Sequence, residues 1–268
     1  MTLETFGRLT DQEVSQLDPY AFMAAIGKRV IHPGGRRSTG ELFRLADFQP
    51  AHHVLEVGCG VGTTAMEIAG RYGCEVTAVD IDPLMLERAR AAVTGRGLDG
   101  RIHVEKADIQ ALQYPDDTFD RVVIEAVTMF VDRPLAAGEA VRVCRSGEGR
   151  VLEHEFIYRK APKPEVRRIF EGEVCPGIQF DTADDWVSLY KAAGLSDIEA
   201  VTGPFTMMMP WGMIRDEGIG NTLGIMGRTF RRRAYLRKMA WLMPRMARVT
   251  PSLGYVVLAG TKAADGNG

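Results

Sequence analysis

Between residues 52 and 158 apolar runs of strand length alternate with helical stretches, and this rhythm restricts the fold more than any other feature of the chain. HHVLEVGCG (52–60) is a buried strand running into a glycine turn, and TTAMEIAGRYG (63–73) is the helix after it. EVTAVDID (75–82), RIHVEKAD (101–108), FDRVVIEAV (119–127) and VLEHEFIY (151–158) read as further strands. Pro83 opens the helix after the second strand, where its missing N–H removes no bond, and PLAAGEAVRVC (134–144) is the helix after the fourth. TADDWVSLYKAAGL (182–195) adds a helix, and IEAVTGPFTMM and GYVVLAGTK (254–262) bring the strands to seven. Strands this apolar, joined by helices, predict an α/β, doubly wound fold with a mostly parallel seven-stranded sheet.

Glu56-Val57-Gly58-Cys59-Gly60-Val61-Gly62 joins the first strand to its helix, where such folds hold a nucleotide-type ligand. Glycine permits the tight turn and lets a ligand approach the backbone. The spacing is GxGxG rather than the GxGxxG of pyrophosphate binding, and Glu56 stands two residues before the first glycine. A carboxylate there repels a pyrophosphate and favours a cationic ligand. S-adenosylmethionine carries both an ammonium and a sulfonium. Asp80 ends the second strand, roughly 20 residues after the loop, where a carboxylate grips ribose hydroxyls. Asp108 ends the third strand, in reach of an adenine amino group. Singly, each of these residues also fits a plain turn or a solvated strand end; together, in this order, they fit a cofactor site.

VLEVGCGVGTTA, AVDID, EKADIQALQYPDDTFDRVV and GYVVLAGTK resemble class I S-adenosylmethionine-dependent methyltransferases, above all the small-molecule branch similar to ubiquinone/menaquinone-biosynthesis methyltransferases. The resemblance is good over residues 50–158, loose over 182–200 and nearly absent in the insertions. It implies that Glu56, Gly58, Gly60 and Gly62 hold the methionine part of the cofactor. Asp80 would bind the ribose with Ile81 against adenine, and Asp108 and Ile109 would complete the adenine site. It also implies that the N-terminal arm folds over the methionine end, with Arg36 of Pro33-Gly34-Gly35-Arg36-Arg37 pairing with the cofactor carboxylate; Tyr20, in Asp18-Pro19-Tyr20, is a further candidate for the same pocket, with core packing the preferred use. A Pro-Gly turn with solvated arginines is the alternative for Arg36.

Methyl transfer needs an in-line approach, so positioning supplies much of the rate, and a base is required only where the acceptor keeps a proton. Glu125, a charge inside Val123-Ile124-Glu125-Ala126-Val127, matches the family's residue beside the transferred methyl. No Asn/Asp-Pro-Pro-Tyr stands there, which argues against the branches that methylate adenine and glutamine nitrogens. In Glu153-His154-Glu155, strand alternation puts the glutamates on one face and the histidine on the other. His154 is a candidate general base and Glu155 a candidate acceptor-binding carboxylate, against a purely structural role for each. Cys175 is placed like the thiols of arsenic methyltransferases, although one loop cysteine adds little.

Three stretches break the alternation: the arm (1–48), 159–181 and 207–250. The expectation is one domain over 1–268, with residues 51–158 as the cofactor-binding core, these stretches as a helical cap over the acceptor, and a disordered tail at 263–268. The insertion starts Met207-Met208-Met209-Pro210-Trp211, and Tyr235, Met239, Leu242 and Met246 recur at helical spacing with basic residues on the other face. It reads either as a packed helix with a solvated basic face or as a lid for an apolar acceptor, a membrane-surface helix or an anion site.

A net charge of -2 gives no field for gathering nucleic acid. The N-terminus is too polar for a signal peptide, and no apolar run approaches the ~20 residues of a membrane span. Four scattered cysteines, with no CxxC or Cys/His cluster, argue against structural zinc and fit a reducing cytoplasm, and no metal is expected. Peripheral membrane contact and homodimerisation stay open. The expected function is methyl transfer to a small, apolar or amphipathic acceptor. The alternatives are a cofactor-binding scaffold that has lost transfer and a nicotinamide oxidoreductase.

Overall fold

The computed structural model describes residues 9–263; the expected disordered tail, Ala263 apart, lies outside them. The strands are β1 (His53–Val57), β2 (Glu75–Asp80), β3 (Ile102–Lys106), β4 (Arg121–Glu125), β5 (Arg150–Tyr158), β6 (Leu195–Pro204) and β7 (Leu253–Lys262). They form one sheet in the order β3-β2-β1-β4-β5-β7-β6. Strands β3 to β5 run parallel, with Leu55 opposite both Thr77 and Val122. β7 is antiparallel to β5: Arg159 N–H donates to Ser252 O (2.9 Å), and Lys262 N–H donates to Gly149 O (3.2 Å) at the other end. The order reverses direction between β1 and β4, so the crevice beyond their carboxyl ends is where a ligand enters a sheet of this kind.

The helices, in chain order, are α1 (Asp11–Gln16), α2 (Pro19–Ala25), α3 (Arg36–Ala46), α4 (Thr63–Tyr72), α5 (Pro83–Thr94), α6 (Arg133–Val143), α7 (Pro164–Arg167), α8 (Ala183–Ala192), α9 (Pro210–Arg231) and α10 (Arg233–Val249). Those that cross over between parallel strands begin as their sequences dictate. Asp82 accepts from Leu84 N–H (2.8 Å) and Asp132 from Leu135 N–H (3.1 Å), each followed by a proline early in the first turn. In α4, Ala65, Met66, Ile68 and Ala69 are buried, the spacing of one helix face. No helix among the described residues is long and apolar enough to cross a membrane.

The chain divides into two compact units. The sheet unit holds Gly40–Glu155, Ala183–Thr202 and the residues from Val256 onward; the helical unit holds those up to Thr39, Phe156–Thr182 and Gly203–Tyr255. The stretches that break the sequence rhythm thus gather into one body, except for residues 40–48 of the arm, which belong to the sheet unit. Its core is aromatic: Phe156 lies against Phe170, Phe180 and Phe205 with centroids 5.8–5.9 Å apart. Phe22 meets Tyr235 edge-on at 5.9 Å. Of the apolar row foreseen in the insertion, Tyr235, Leu242 and Met246 are buried.

A charged cluster ties the arm to α9 within this unit. α9 is broken at Gly218 (φ 76°, ψ 163°), and the two acids before the break turn toward the arm. Glu217 Oε1 accepts from Lys28 Nζ (3.3 Å) and from the N–H groups of Arg29 (2.9 Å) and Val30 (3.0 Å). Asp216 Oδ1 accepts from the N–H of Arg36 (3.2 Å) and Arg215 Nε (3.0 Å). Lys28 and Glu217 have no side-chain exposure, so their charges rely on one another and on these backbone donors.

Candidate active site

At the end of β1 the backbone turns through three left-handed glycines, Gly58 (φ 70°), Gly60 (φ 54°) and Gly62 (φ 77°). Cys59 N–H donates to Val79 O (2.9 Å) and Gly62 N–H to Cys59 O (2.8 Å), which closes the turn against β2. A Cβ on Gly58 would sit 2.2 Å from Val127 Cγ2, whereas one on Gly60 would meet nothing within 4 Å. Gly58 is therefore required by packing against the segment after β4, and Gly60 leaves its backbone face open to a ligand. Asp80 fixes the loop from β2: its Oδ2 accepts from Gly60 N–H and its Oδ1 from Asp82 N–H, both at 2.9 Å.

Three carboxylates gather around this turn. Glu56 is buried, and its Oε2 has no hydrogen-bond partner in the protein. Burial, then the neighbouring charges of Glu125 and Asp80, push its carboxyl well above the usual range, against a hydrogen bond from the Ala65 backbone. The same burial, with Glu56 and Asp80, raises the Cys59 thiol, so it stays protonated. A cation bound here relieves that accumulation, while a pyrophosphate adds to it. Ile81, just beyond Asp80, is 60% exposed, an apolar face at a ligand-binding strand end, whereas Ile109 is buried in the core. Asp108 accepts from Gln110 N–H (2.9 Å) and follows Ala107, whose N–H donates to Asp80 O (3.3 Å).

Glu125 ends β4 with its side chain 12% exposed. Its Oε1 accepts from Thr64 Oγ1 (2.8 Å), and its Oε2 lies 3.1 Å from His154 Nδ1 on β5. With Nδ1–H donated to the carboxylate, the neutral ring carries its lone pair on Nε2. Ala126, the next residue, is held in the left-handed region (φ 59°), and its N–H donates to His154 O (2.8 Å). Strain of this kind is tolerated where the surroundings over-determine it, and here it aims Glu125. Nothing in the sequence singles out Thr64; the only signal is a hydroxyl in the first turn after the glycine loop.

The structure does not bring Glu155 to this pair. It lies with Glu153 on the other face of β5, both fully buried. Glu155 Oε1 accepts from Met129 N–H (3.2 Å), and Glu153 Oε2 accepts from Thr128 Oγ1 (3.1 Å) and from the Tyr190 hydroxyl. Burial pushes Glu155 up to about 7, and burial with the Glu155 charge pushes Glu153 well above the usual carboxyl range. Tyr20 and Arg36 belong to the helical unit. Tyr20 lies beside Phe156 (6.4 Å), lining an apolar pocket with Phe170 and Cys175, and Arg36 Nε donates to Asp216 O (2.9 Å). Cys175 is no ready nucleophile, since burial, then Asp18, push its thiol up to about 11. A second, larger cavity of about 220 Å³ in this unit is lined by six methionines with Ile26, Ile225, Phe230 and Thr229.

Residues 54–147 match the family described as methyltransferase domain. The chain is 32% identical to a protein of Haemophilus influenzae over 76% of its own length and 82% of that protein's. It is 30% identical to methyltransferase GfsG of Streptomyces halstedii over 73% of its own length and 75% of the relative. The fold is shared with a solved S-adenosylmethionine-dependent methyltransferase of Thiobacillus denitrificans in complex with S-adenosylhomocysteine. That likeness has a TM-score of 0.68 and 18% identity, covering 92% of this chain and all of the other. With the strand order and glycine turn described above, these likenesses place the chain among the class I S-adenosylmethionine-dependent methyltransferases.

Proposed function

We propose that the chain methylates a small, apolar or amphipathic acceptor that gives up a proton as it is methylated, with the cofactor in the glycine turn of the sheet unit. The observation that carries this reading is the hydrogen bond between Glu125 and His154, beside a turn crowded with carboxylates. When bound, S-adenosylmethionine supplies an electrophilic methyl group. Glu56, through the buried Oε2 that lacks a protein donor, takes the cofactor's ammonium. Asp80 takes the ribose hydroxyls while bracing Gly60, and Ile81 offers its exposed side chain to the adenine.

Glu125 is the group that meets the acceptor, because its carboxylate is the part-exposed member of the pair. It receives the acceptor's proton at a carboxylate oxygen, and His154 and Thr64 hold that carboxylate in one rotamer. Within the helical unit, a cavity lined by methionines, whose unbranched thioether side chains adapt to an irregular apolar shape, supports an apolar rather than a polar acceptor.

The test is calorimetry with S-adenosylhomocysteine, followed by incubation of the protein with labelled S-adenosylmethionine and a fractionated small-molecule extract. Binding by the wild type, loss of affinity in Asp80→Ala and label in an organic-soluble product are the expected results. Unchanged affinity in Asp80→Ala would remove the ribose assignment. Label appearing only in polar products would overturn the apolar acceptor.

A further inference from the structure

The second half of α9 carries an apolar row that is exposed among the described residues. Ile219, Leu223, Met226 and Phe230 are 68, 62, 49 and 65% exposed. Their spacing stacks them on one side of the helix, while Ile225 and Thr229, on another side, are buried. Single exposed apolar residues are ordinary, but a contiguous row of this length marks a contact surface. Met226 and Phe230 also line the methionine-rich cavity, so the row and the cavity share residues.

Charge decides between the surfaces that could cover it. From Gly218 to Val249 the sequence has seven arginines, one lysine and no acid. Some of these are engaged inside the unit: Arg228 Nε donates to Ile26 O (2.7 Å), and Arg245 pairs with Glu173 (2.8 Å). Arg231 and Arg233, which follow directly on Phe230, are exposed, as is Arg248. A second copy of the chain would bring like charges together, which opposes association. An anionic surface is complementary, and an apolar row beside arginines is the pattern of a helix lying in a bilayer interface.

We propose that this face of α9 docks on an anionic lipid bilayer, the row Ile219-Leu223-Met226-Phe230 entering the headgroup boundary while Arg231 and Arg233 meet lipid phosphates. Docking of this kind is independent of the transfer reaction and is measured without it.

The experiment is cosedimentation of the full chain with vesicles of phosphatidylcholine alone, or of equal parts phosphatidylcholine and phosphatidylglycerol, at low and high salt. The expected result is binding to the mixed vesicles only, weakening as salt rises. Ile219→Ser with Leu223→Ser should abolish sedimentation. Arg231→Glu with Arg233→Glu should weaken it about 25-fold or more, at about fivefold for each arginine near the surface. All four positions are exposed, and melting followed by circular dichroism verifies that both variants fold. Equal binding to both vesicle types, no binding to either, or variants that sediment like the wild type would overturn the proposal. So would a dimer in light scattering that Ile219→Ser with Leu223→Ser dissociates while the wild type ignores vesicles, since the row would then belong to a second copy.

Discussion

Glu125 and His154 are direct partners in the register of β4 and β5, and their side chains meet on the same face with Nδ1 3.1 Å from Oε2. Parallel pairing thus converts two adjacent strand ends into one acid–imidazole pair. Glu125 additionally takes the Thr64 hydroxyl, so both carboxylate oxygens are held. Glu125→Gln keeps the shape and removes the proton acceptor. Its turnover should fall about 10²- to 10⁴-fold with cofactor affinity unchanged. His154→Gln should lose less, because the carboxylate survives and only its orientation suffers. Single-turnover rates beside calorimetric affinities distinguish the two; a Glu125→Gln enzyme with wild-type turnover would end the role given to Glu125.

The Gly58 position tests the glycine turn. Alanine there must adopt φ near 70° and place its Cβ 2.2 Å from Val127 Cγ2. Left-handed strain of about 1–2 kcal/mol and overpacking of about 1–3 kcal/mol add up to a clear loss of stability. Val127→Ala in the same chain removes the contact but not the strain. Urea unfolding of both single variants and the double should therefore show a favourable coupling of about 1 kcal/mol or more. Additive effects would mean that the clash is not what requires glycine.

The sheet was readable in the sequence because its inner strands are apolar runs bounded by turn signals, while the more polar β3 and β6 lie at its two edges, and the seven expected strands correspond to β1–β7. The glycine turn and Asp80 were readable for the same reason, since a local backbone demand fixes both residue type and spacing. Thr64 and the partnership of Glu153 with Tyr190 were not. Each depends on which strand or helix packs beside which, information carried by the strand order rather than by any local pattern. Alternation did assign Glu153 and Glu155 to one face and His154 to the other, but could not say which face carries the Glu125 pair. The insertion's helical row was visible. The break at Gly218 and the turn of Asp216 and Glu217 toward the arm are set by a partner some 180 to 190 residues away.

That partner supplies another prediction. Glu217 is fully buried against Lys28 and two backbone N–H groups. Glu217→Ala leaves an ammonium without its counter-charge and two donors without an acceptor, a loss of about 3–5 kcal/mol. Lys28→Met in the same chain removes the stranded charge and should recover part of that loss. Thermal melting of the two variants decides it. A Glu217→Ala protein as stable as the wild type would show that the arm is held by other contacts.

The last prediction concerns the two carboxyls on the far face of β5. Glu155 is pushed up to about 7 by burial from a usual 4.5, and Glu153 is likewise raised well above it. Both are raised, so the folded chain binds more protons than the unfolded one once pH exceeds the ordinary carboxyl range. The stabilisation is fully present below about pH 4.5 and is lost as pH climbs toward 7 and beyond. Glu155→Gln cannot titrate, and its amide oxygen can accept from a protonated Glu153 as the Glu155 carboxylate does. Its stability curve should be flatter between about pH 5 and 8, with the variant gaining on the wild type at the alkaline end. Urea midpoints measured across that range give the answer. Parallel curves for variant and wild type would mean that the pair carries no proton beyond what the unfolded chain carries.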